Sequence, residues 1–384
     1  MANLFSRRAM LLSTASAAVG LRAAWPWPQC EPEYLSSFEP QAFSVVPVVG
    51  DGRWIWTEPP ANETGFLEPR RFRLSISIEL IARGNSALVT ASTPVPDSFP
   101  EQTIDDERIE QEGAQGAIER VSPGARRLVA AAQLQRGQTA RSTAHFDLTL
   151  CKQYQGYTRN RFPTDQKVPV EIRTPFLGDS PGIQTRAAQT VALCKQLQAG
   201  AAHPWDFAQA ACNWVRSNIR PRLGRYTSVT TALDRREGDC EEMAGVFVAV
   251  CRAAGIPARL VWIPNHVWAE FHLVDEAGEG HWIPAHTACY PWFGWTGVHE
   301  LVLQKGDRVR SPDDGTVVRL QLDRTRAVGG RGEAKFSAEL TPLPPLKQGE
   351  SATDGDTGPG ARRKSSTGEW LVVGTHPFDR YARR

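Results

Sequence analysis

Hydrophobic and polar positions alternate with a period of two in the first half of the chain. In residues 71–80, the apolar face consists of Phe72, Leu74, Ile76, Ile78 and Leu80. The polar face consists of Arg73, Ser75, Ser77 and Glu79. Residues 144–150 alternate in the same way, and turn signals lie between the two segments. This period is typical of half-buried strands. It predicts a small antiparallel β domain, a β-sandwich, over residues 41–165.

From about residue 181 the apolar positions recur at helical spacing instead. The predicted helices are 183–197, 205–219 and a third that begins at Cys240. The predicted strands after them are 258–263, 266–274 and 281–285, with further strand-like runs at 317–322 and 335–340. Helices followed by a sheet indicate an α+β core, which we place at residues 181–345.

Both ends of the chain differ in composition from its body. Residues 1–24 combine paired arginines, a short apolar run and small residues, which predicts a twin-arginine-type signal peptide. Residues 25–40 form a Trp- and Pro-rich lead-in, residues 346–368 predict a flexible linker, and residues 369–384 form a C-terminal segment. The signal predicts a periplasmic or extracellular protein, and no later segment has the length and apolarity of a membrane span.

Charge and cysteine content narrow the possible functions. The 44 basic and 42 acidic residues give a net charge of +2, which does not indicate nucleic acid or an anionic membrane as a partner. The seven cysteines form no CxxC motif, which argues against a structural zinc module. Export permits disulfides, and an odd number leaves at least one thiol unpaired. Neither the pairing nor the oligomeric state follows from the sequence.

The third predicted helix begins with a cysteine that has the features of a nucleophile. Asp239 is a good N-cap, and Glu242 stands three residues later as in a capping box. Gly255 ends the helix and Pro257 prevents it from resuming. Cys240 therefore takes the first helical position, where the positive end of the helix dipole favours the thiolate. Gly238 is expected to leave the approach to the sulfur uncrowded. Cys251 lies in the apolar stripe of the helix and is expected to be a buried core residue.

Two histidines after this helix complete a possible catalytic group. In the strand 266–274, His266 and Glu270 lie on the face opposite the apolar one. The next strand leads to His286. A thiol at a helix tip, a histidine on a strand and a residue on the neighbouring strand form a nucleophile, a base and a residue that orients the base.

These segments resemble the transglutaminase-like superfamily, which has a papain-like core. The similarity lies in Gly238-Asp239-Cys240-Glu241-Glu242, in the segment 251–259, in His266-Val267-Trp268-Ala269-Glu270 and in Trp282-Ile283-Pro284. It covers about residues 190–290, and the β region before them is similar to the domain that often precedes this core in bacterial members. The resemblance implies acyl transfer or hydrolysis on peptide or protein amide bonds through a thioester, with no metal or cofactor.

The resemblance also assigns roles to individual residues. Cys240 matches the nucleophile and His266 the base, while His286 stands where members of the family usually carry Asp. A neutral imidazole can accept a hydrogen bond but cannot stabilise an imidazolium by charge, and Glu270 is a possible substitute. Two alternatives stay open: a non-catalytic domain that binds a peptide or cell-surface ligand, and a metal site of Cys240, His266 and His286.

Overall fold

The computed structural model describes residue 56, residues 58–222 and residues 224–345. The predicted signal peptide, lead-in, linker and C-terminal segment lie outside these residues. None of the described helices combines the length and the apolarity needed to cross a membrane.

The described residues form an α+β fold, as predicted. The first six strands are β1 (Gly65–Ala82), β2 (Ala87–Val95), β3 (Gln102–Glu112), β4 (Gln115–Ser122), β5 (Ala125–Leu134) and β6 (Thr139–Tyr154). A 3-10 helix (Arg159–Arg161) precedes α1 (Val170–Phe176), α2 (Ala188–Gln198), α3 (Pro204–Asn218), β7 (Arg220–Pro221), α4 (Val229–Arg235), β8 (Glu237–Gly238) and α5 (Cys240–Ala253). The remaining strands are β9 (Ala258–Ile263), β10 (His266–Val274), β11 (Gly280–Ala285), β12 (Trp295–Thr296), β13 (Gln304–Lys305), β14 (Val309–Arg310), β15 (Val317–Val318), β16 (Arg324–Val328) and β17 (Gly332–Pro342).

The first sheet has the strand order β12-β6-β1-β17, and β3 also pairs with β6. All of these pairs are antiparallel, and Leu74 lies opposite both Phe146 and Leu340. The predicted apolar faces of β1 and β6 are buried in the core. The strand predicted at 335–340 is therefore present as β17, and it completes the sheet that begins with β1.

The second sheet runs from the strands after α5 into the N-terminal strands. Its order is β11-β10-β9-β13-β5-β2-β16, with β4 also paired to β5. The two-residue strand β13 makes the junction, because Gln304 pairs with Trp262 on one side and with Ala125 on the other. The strands that follow α5 are therefore tied by backbone hydrogen bonds, through β13, to the N-terminal strands. The domain boundaries predicted from the sequence stay predictions.

Helix α5 is the central helix of the core. It contacts α2, α3 and α4 as well as the strands β9 and β10. All of its residues from Cys240 to Arg252 are buried. Gly255, at a φ of 82°, ends this helix in the left-handed conformation that glycine adopts readily.

Two local predictions need correction, and two short helices were not predicted. The helix predicted from residue 183 begins at Ala188, because Ile183 pairs with Ser180 in an isolated bridge and the Asp179 carboxylate holds the Thr185 backbone N–H at 2.8 Å. The run 317–322 is a strand only over Val317–Val318. The helices α1 and α4 were not predicted, because each has only seven residues and too few turns to show a helical period.

Candidate active site

Cys240 is the first residue of α5, and the predicted capping box is present. The Asp239 carboxylate accepts a hydrogen bond from the Glu241 backbone N–H at 2.9 Å. The Glu242 carboxylate accepts one from the Asp239 backbone N–H at 3.0 Å. These bonds fix the first turn of the helix, so the thiol is held at the positive end of the helix dipole. Cys240 is buried, with 7% of its surface exposed.

Glu242 belongs to a second set of contacts beside the thiol. The pKa of Glu242 is raised to about 7. Burial is the largest cause, and a hydrogen bond to Asp239 and the negative charge of Asp239 contribute to the same rise. The other Glu242 oxygen accepts a hydrogen bond from the Thr227 backbone N–H at 2.6 Å. The capping carboxylate, two residues after Cys240, is therefore harder to ionise than an ordinary glutamate.

Gly238 makes a close approach to Glu242 that the sequence did not reveal. A Cβ atom at this position would lie 2.6 Å from the Cβ of Glu242, closer than two carbon atoms can approach. The glycine thus makes room for the capping carboxylate. The neighbouring Glu241 pairs with Arg319, whose guanidinium lies 3.5 Å from the centre of the Tyr226 ring.

The topology of the core brings all three predicted site residues to one end. Helix α5 and β9 are joined by only four residues, 254–257, and pack against each other, so the end of β9 lies near the start of α5. His266 follows β9 after a two-residue turn, and β10 runs antiparallel to both β9 and β11. His286 directly follows the end of β11 and therefore lies at the same end as His266 and Cys240.

The polar face of β10 is buried, although the sequence pattern suggested that it faces away from packed structure. Every residue of His266–Val274 is buried. Val267, Ala269, Phe271 and Leu273 belong to the core that includes α5. On the other face, Trp268 packs in a smaller apolar cluster with Val261, Ile263 and Val302.

Glu270 does not take the place of the missing aspartate. One of its oxygens lies 2.5 Å from Lys305 Nζ, and the other accepts a hydrogen bond from Arg259 Nε at 2.7 Å. Although burial opposes ionisation, the charges of Lys305 and Arg259 lower the pKa of this carboxyl. Lys305 also pairs with Glu101 at 2.6 Å. Glu270 therefore belongs to a buried ion-pair network that supports the sheet.

His286 is completely buried in an aromatic box. Its ring stacks on Trp268 with centroids 4.8 Å apart and meets the rings of Tyr290 and Trp292 edge to face. Its Nε2 lies 3.0 Å from Thr296 Oγ1. Burial lowers the pKa of His286 well below its usual value, and the charges of His266 and Arg216 lower it further. His286 is therefore neutral, and it lies close enough to His266 to be influenced by its charge.

The third sequence hypothesis, a metal site of Cys240, His266 and His286, is not supported. Among the described residues, the ligand atoms that lie within 4.8 Å of one another in sets of three are those of Asp275, Glu279 and His281. Arg161 Nη2 lies 3.3 Å from His281 and 3.4 Å from Asp275. Because a guanidinium already supplies the positive charge there, this group is an ion-pair cluster at a turn.

The prediction that Cys251 is a buried core residue is confirmed. Cys251 is buried, and burial raises its pKa well above the usual value, which suits a core thiol.

A cavity of about 360 Å³ lies at the opposite end of α5 from Cys240, where its walls include Gly255, Pro257 and His272. It is therefore separate from the candidate active site. Thr296 escaped the sequence analysis because only the fold places it beside His286.

An α+β core that brings a helix-tip cysteine, a strand histidine and a third polar residue together has the layout of a Cys–His site. Residues 191–287 match the family model described as the transglutaminase-like superfamily. The resemblance predicted from the sequence is confirmed for this segment. The catalytic roles of Cys240, His266 and His286 stay predictions.

One similar protein is a peptide-N(4)-(N-acetyl-beta-glucosaminyl)asparagine amidase from Yarrowia lipolytica. It is 36% identical over 56 residues, which cover 14% of this chain and 16% of that protein. A candidate cysteine protease from Cytophaga hutchinsonii matches in structure with 17% identity and a TM-score of 0.49, covering 73% of this chain and 93% of its own. Red sea bream transglutaminase matches with 11% identity and a TM-score of 0.27, covering 53% of this chain and 46% of its own.

Proposed function

We propose that this protein is a cysteine enzyme that acts on amide bonds of a peptide or protein substrate, with Cys240 as the nucleophile and His266 as the base. The observation that carries the proposal is the placement of Cys240 at a capped helix N-terminus, at the same end of the core as His266 and His286. The match of residues 191–287 to the transglutaminase-like superfamily supports it. The amidase named above supports chemistry on an amide bond.

In the first half of the proposed reaction, His266 takes the thiol proton and Cys240 Sγ attacks the carbonyl carbon of the substrate. The positive end of the α5 dipole stabilises the oxyanion that forms. The C–N bond then breaks, and the leaving amine takes the proton from His266. A thioester between Cys240 and the acyl group remains.

In the second half, His266 removes a proton from water or from a second amine, which attacks the thioester carbonyl. Water releases a carboxylic acid, and an amine forms a new amide; in both cases the sulfur leaves and regains its proton from His266. No step in this sequence needs a metal or a cofactor. The substrate, and the choice between hydrolysis and transfer, are left to experiment.

Thiol alkylation tests the proposal directly. Purified protein is treated with iodoacetamide between pH 5 and 9, and labelling at each cysteine is followed by mass spectrometry. We expect Cys240 to react rapidly near neutral pH, because a helix N-terminus and a neighbouring imidazole favour the thiolate. Cys151 is the internal reference, since burial raises its pKa.

A matched pair of variants assigns the effect to the base. His266→Ala is expected to slow labelling of Cys240, whereas His145→Ala, on strand β6, is expected to leave it unchanged. If Cys240 labels no faster than Cys151 in the folded protein, but at the ordinary rate after unfolding, the nucleophile assignment is wrong. The alternative of a non-catalytic binding domain, motivated by His286 at the third position, then takes its place.

We also propose that the protein is exported to the periplasm or beyond, on the evidence of the sequence pattern in residues 1–24. Fractionation of cells that express the full chain tests this proposal. Replacing Arg7 and Arg8 by Lys keeps the positive charge but removes the arginine pair. We expect the wild-type chain to be exported in shortened form and the double variant to stay inside the cell; equal export of both contradicts a twin-arginine signal.

A further inference from the structure

The near-neutral charge of the chain is the sum of regions with opposite charge. Strand β3 carries five acidic residues and one arginine. Residues 219–238, which end two residues before Cys240, carry five arginines and two acidic residues, and their net charge of +3 exceeds the +2 of the whole chain. All five arginines are exposed, and we call them the basic rim: Arg220, Arg222, Arg225, Arg235 and Arg236. Positive charge is therefore concentrated in the segment that leads to the proposed nucleophile.

Backbone hydrogen bonds hold the basic rim beside the start of α5. Strand β7 pairs in parallel with β8, and the Arg222 backbone N–H donates to the Gly238 carbonyl at 2.8 Å. The chain returns to α5 at Thr227, whose backbone N–H donates to the Glu242 carboxylate at 2.6 Å. The segment between these two bonds is thus attached two residues before and two residues after Cys240. Because two residues span at most about 7 Å and neighbouring strands lie about 5 Å apart, the β7 backbone passes within roughly 12 Å of that of Cys240.

The acidic residues next to Cys240 do not cancel this charge at the surface. Asp239, Glu241 and Glu242 are all buried. Asp239 accepts the hydrogen bond that caps α5, and Glu241 pairs with Arg319. A ligand that approaches the thiol from solvent therefore meets the exposed arginines and not these carboxylates.

The partners of the basic rim indicate which ligand chemistry suits it. Glu237 pairs with both Arg220 and Arg222, so these guanidinium groups already bind a carboxylate, whose two oxygens match their planar fork. The guanidinium of Arg236 lies 4.6 Å from the centre of the Trp214 ring. The other two arginines of the rim form no salt bridge within residues 58–222 and 224–345. The rim therefore has positive charge in excess of what the neighbouring acidic side chains neutralise.

We infer that the basic rim binds an acidic segment of the peptide or protein substrate, so that carboxylates of the substrate pair with the arginines while the amide lies at Cys240. This inference rests on the proposed function and names the substrate class of that site. A short acidic peptide needs only the rim, whereas nucleic acid or an anionic membrane presents its charge over a wider area to a chain whose net charge is only +2.

Peptide binding tests the rim without reference to catalysis. The full chain with Cys240→Ala is titrated against a short peptide of alternating Glu and Ser that carries an uncharged dye, and fluorescence anisotropy is measured. A peptide with Gln in place of Glu is the control ligand. We expect the Gln peptide to bind more weakly, by about 10-fold or more at low salt, since it loses several ion pairs. The affinity for the Glu peptide should fall as salt rises, because exposed charges are screened. Equal binding of the two peptides overturns the inference.

Two double variants with the same net charge separate the rim from general charge. Arg222→Gln with Arg225→Gln changes the rim, and Arg136→Gln with Arg326→Gln changes exposed arginines in the turn after β5 and in β16. We expect the rim variant to bind the Glu peptide about 2- to 30-fold more weakly, as for the loss of two exposed ion pairs. The control variant should bind it as the parent does, and equal losses overturn the inference. If the rim variant does not fold, Arg225→Gln alone takes its place.

Protection of the thiol shows where the peptide binds. In the wild-type protein, the Glu peptide should slow iodoacetamide labelling of Cys240 and leave that of Cys151 unchanged. Binding without protection places the peptide elsewhere and overturns the inference. Tighter binding of single-stranded DNA, or of vesicles that contain phosphatidylglycerol, overturns it in favour of another partner. Slow labelling of Cys240 without any peptide contradicts the proposed function instead, while anisotropy with Cys240→Ala still decides the role of the rim.

Discussion

The two faces of β10 are both buried, but their surroundings differ. The face toward α5 is entirely apolar, with Val267, Ala269, Phe271 and Leu273 in the main core. The opposite face carries His266, Trp268, Glu270 and His272, and its charged member is paired with Lys305 and Arg259. The apolar face stabilises the fold through transfer of hydrocarbon from water, whereas the polar face contributes only while its partners remain in place.

This difference shows how one strand supports both the core and the candidate site. Apolar packing against α5 sets the position of the helix that carries Cys240. The polar face holds His266 and supplies Trp268 as the surface on which His286 stacks. Substitutions on the two faces are therefore expected to affect different properties, namely stability on one face and reactivity together with pH dependence on the other.

The largest effect is expected from the polar face at His266. Replacing His266 by Ala should lower the rate of amide turnover by about 10²- to 10⁴-fold, because a positioned general base contributes that much to a proton-transfer step. It should also slow Cys240 alkylation, since the thiolate loses its neighbouring imidazolium. Rate measurements across pH, with thermal unfolding as a check on the fold, test this expectation. A variant that remains folded and reacts as fast as the wild type contradicts the role of His266.

Lys305 tests the dependence of the polar face on its ion pairs. Lys305→Met should destabilise the protein by about 3–5 kcal/mol, since it leaves the buried Glu270 and Glu101 without their shared cation. Denaturant unfolding gives the change in free energy. Arg83→Met is the matched control, because Arg83 pairs with Glu333 in a solvent-exposed salt bridge, whose loss should destabilise the protein far less. Equal losses in the two variants contradict the distinction.

Leu273 tests the apolar face. Leu273→Ala should reduce the free energy of unfolding by about 2–5 kcal/mol through lost burial and the cavity left behind. Below the unfolding temperature, the alkylation rate of Cys240 should stay within a few-fold of that of the wild type. A large loss of reactivity in the folded variant would show that the two faces are not separate in function.

The smallest effect is a pH dependence that arises at His272. The pKa of His272 is lowered to about 4. Burial is the largest cause, and the charges of Arg259 and His281 contribute to the same decrease. The unfolded chain therefore binds this proton more readily, so stability is full above about pH 6.5 and falls as the pH decreases to 4, by on the order of 2–3 kcal/mol. His272→Gln should flatten this part of the profile. Unfolding measured at pH 7, 5.5 and 4 compares the two proteins, and parallel profiles contradict the assignment.

The elements nearest the site were predicted most accurately from the sequence. The strands 258–263 and 266–274 agree with β9 and β10, and the third helix begins at Cys240 with the predicted cap. These segments carry strong local signals: an N-cap with a capping carboxylate, a glycine and a proline at the helix end, and strict alternation. The short helices α1 and α4 carry no such signal and were missed.

The surroundings of the site residues were predicted less well, and the errors have a common cause. Glu270 was considered as a substitute for the missing carboxylate, but its partners Lys305 and Arg259 come from different strands. Gly238 was predicted to leave the approach to the sulfur uncrowded, and its role in accommodating Glu242 was missed. In each case the deciding neighbour is reached through side-chain packing, which the spacing of residues along the chain does not reveal.

The sequence by itself determined the periods of the strands and helices, the cap of α5 and the presence of Cys240, His266 and His286 in transglutaminase-like segments, because these features depend on neighbouring residues. Only the tertiary structure decided that the second sheet continues through β13 into the N-terminal strands, that both faces of β10 are buried, and that Thr296 meets His286. Such contacts join residues that lie on separate elements. They form only when the sheets and helices pack together and exclude water from both faces of β10.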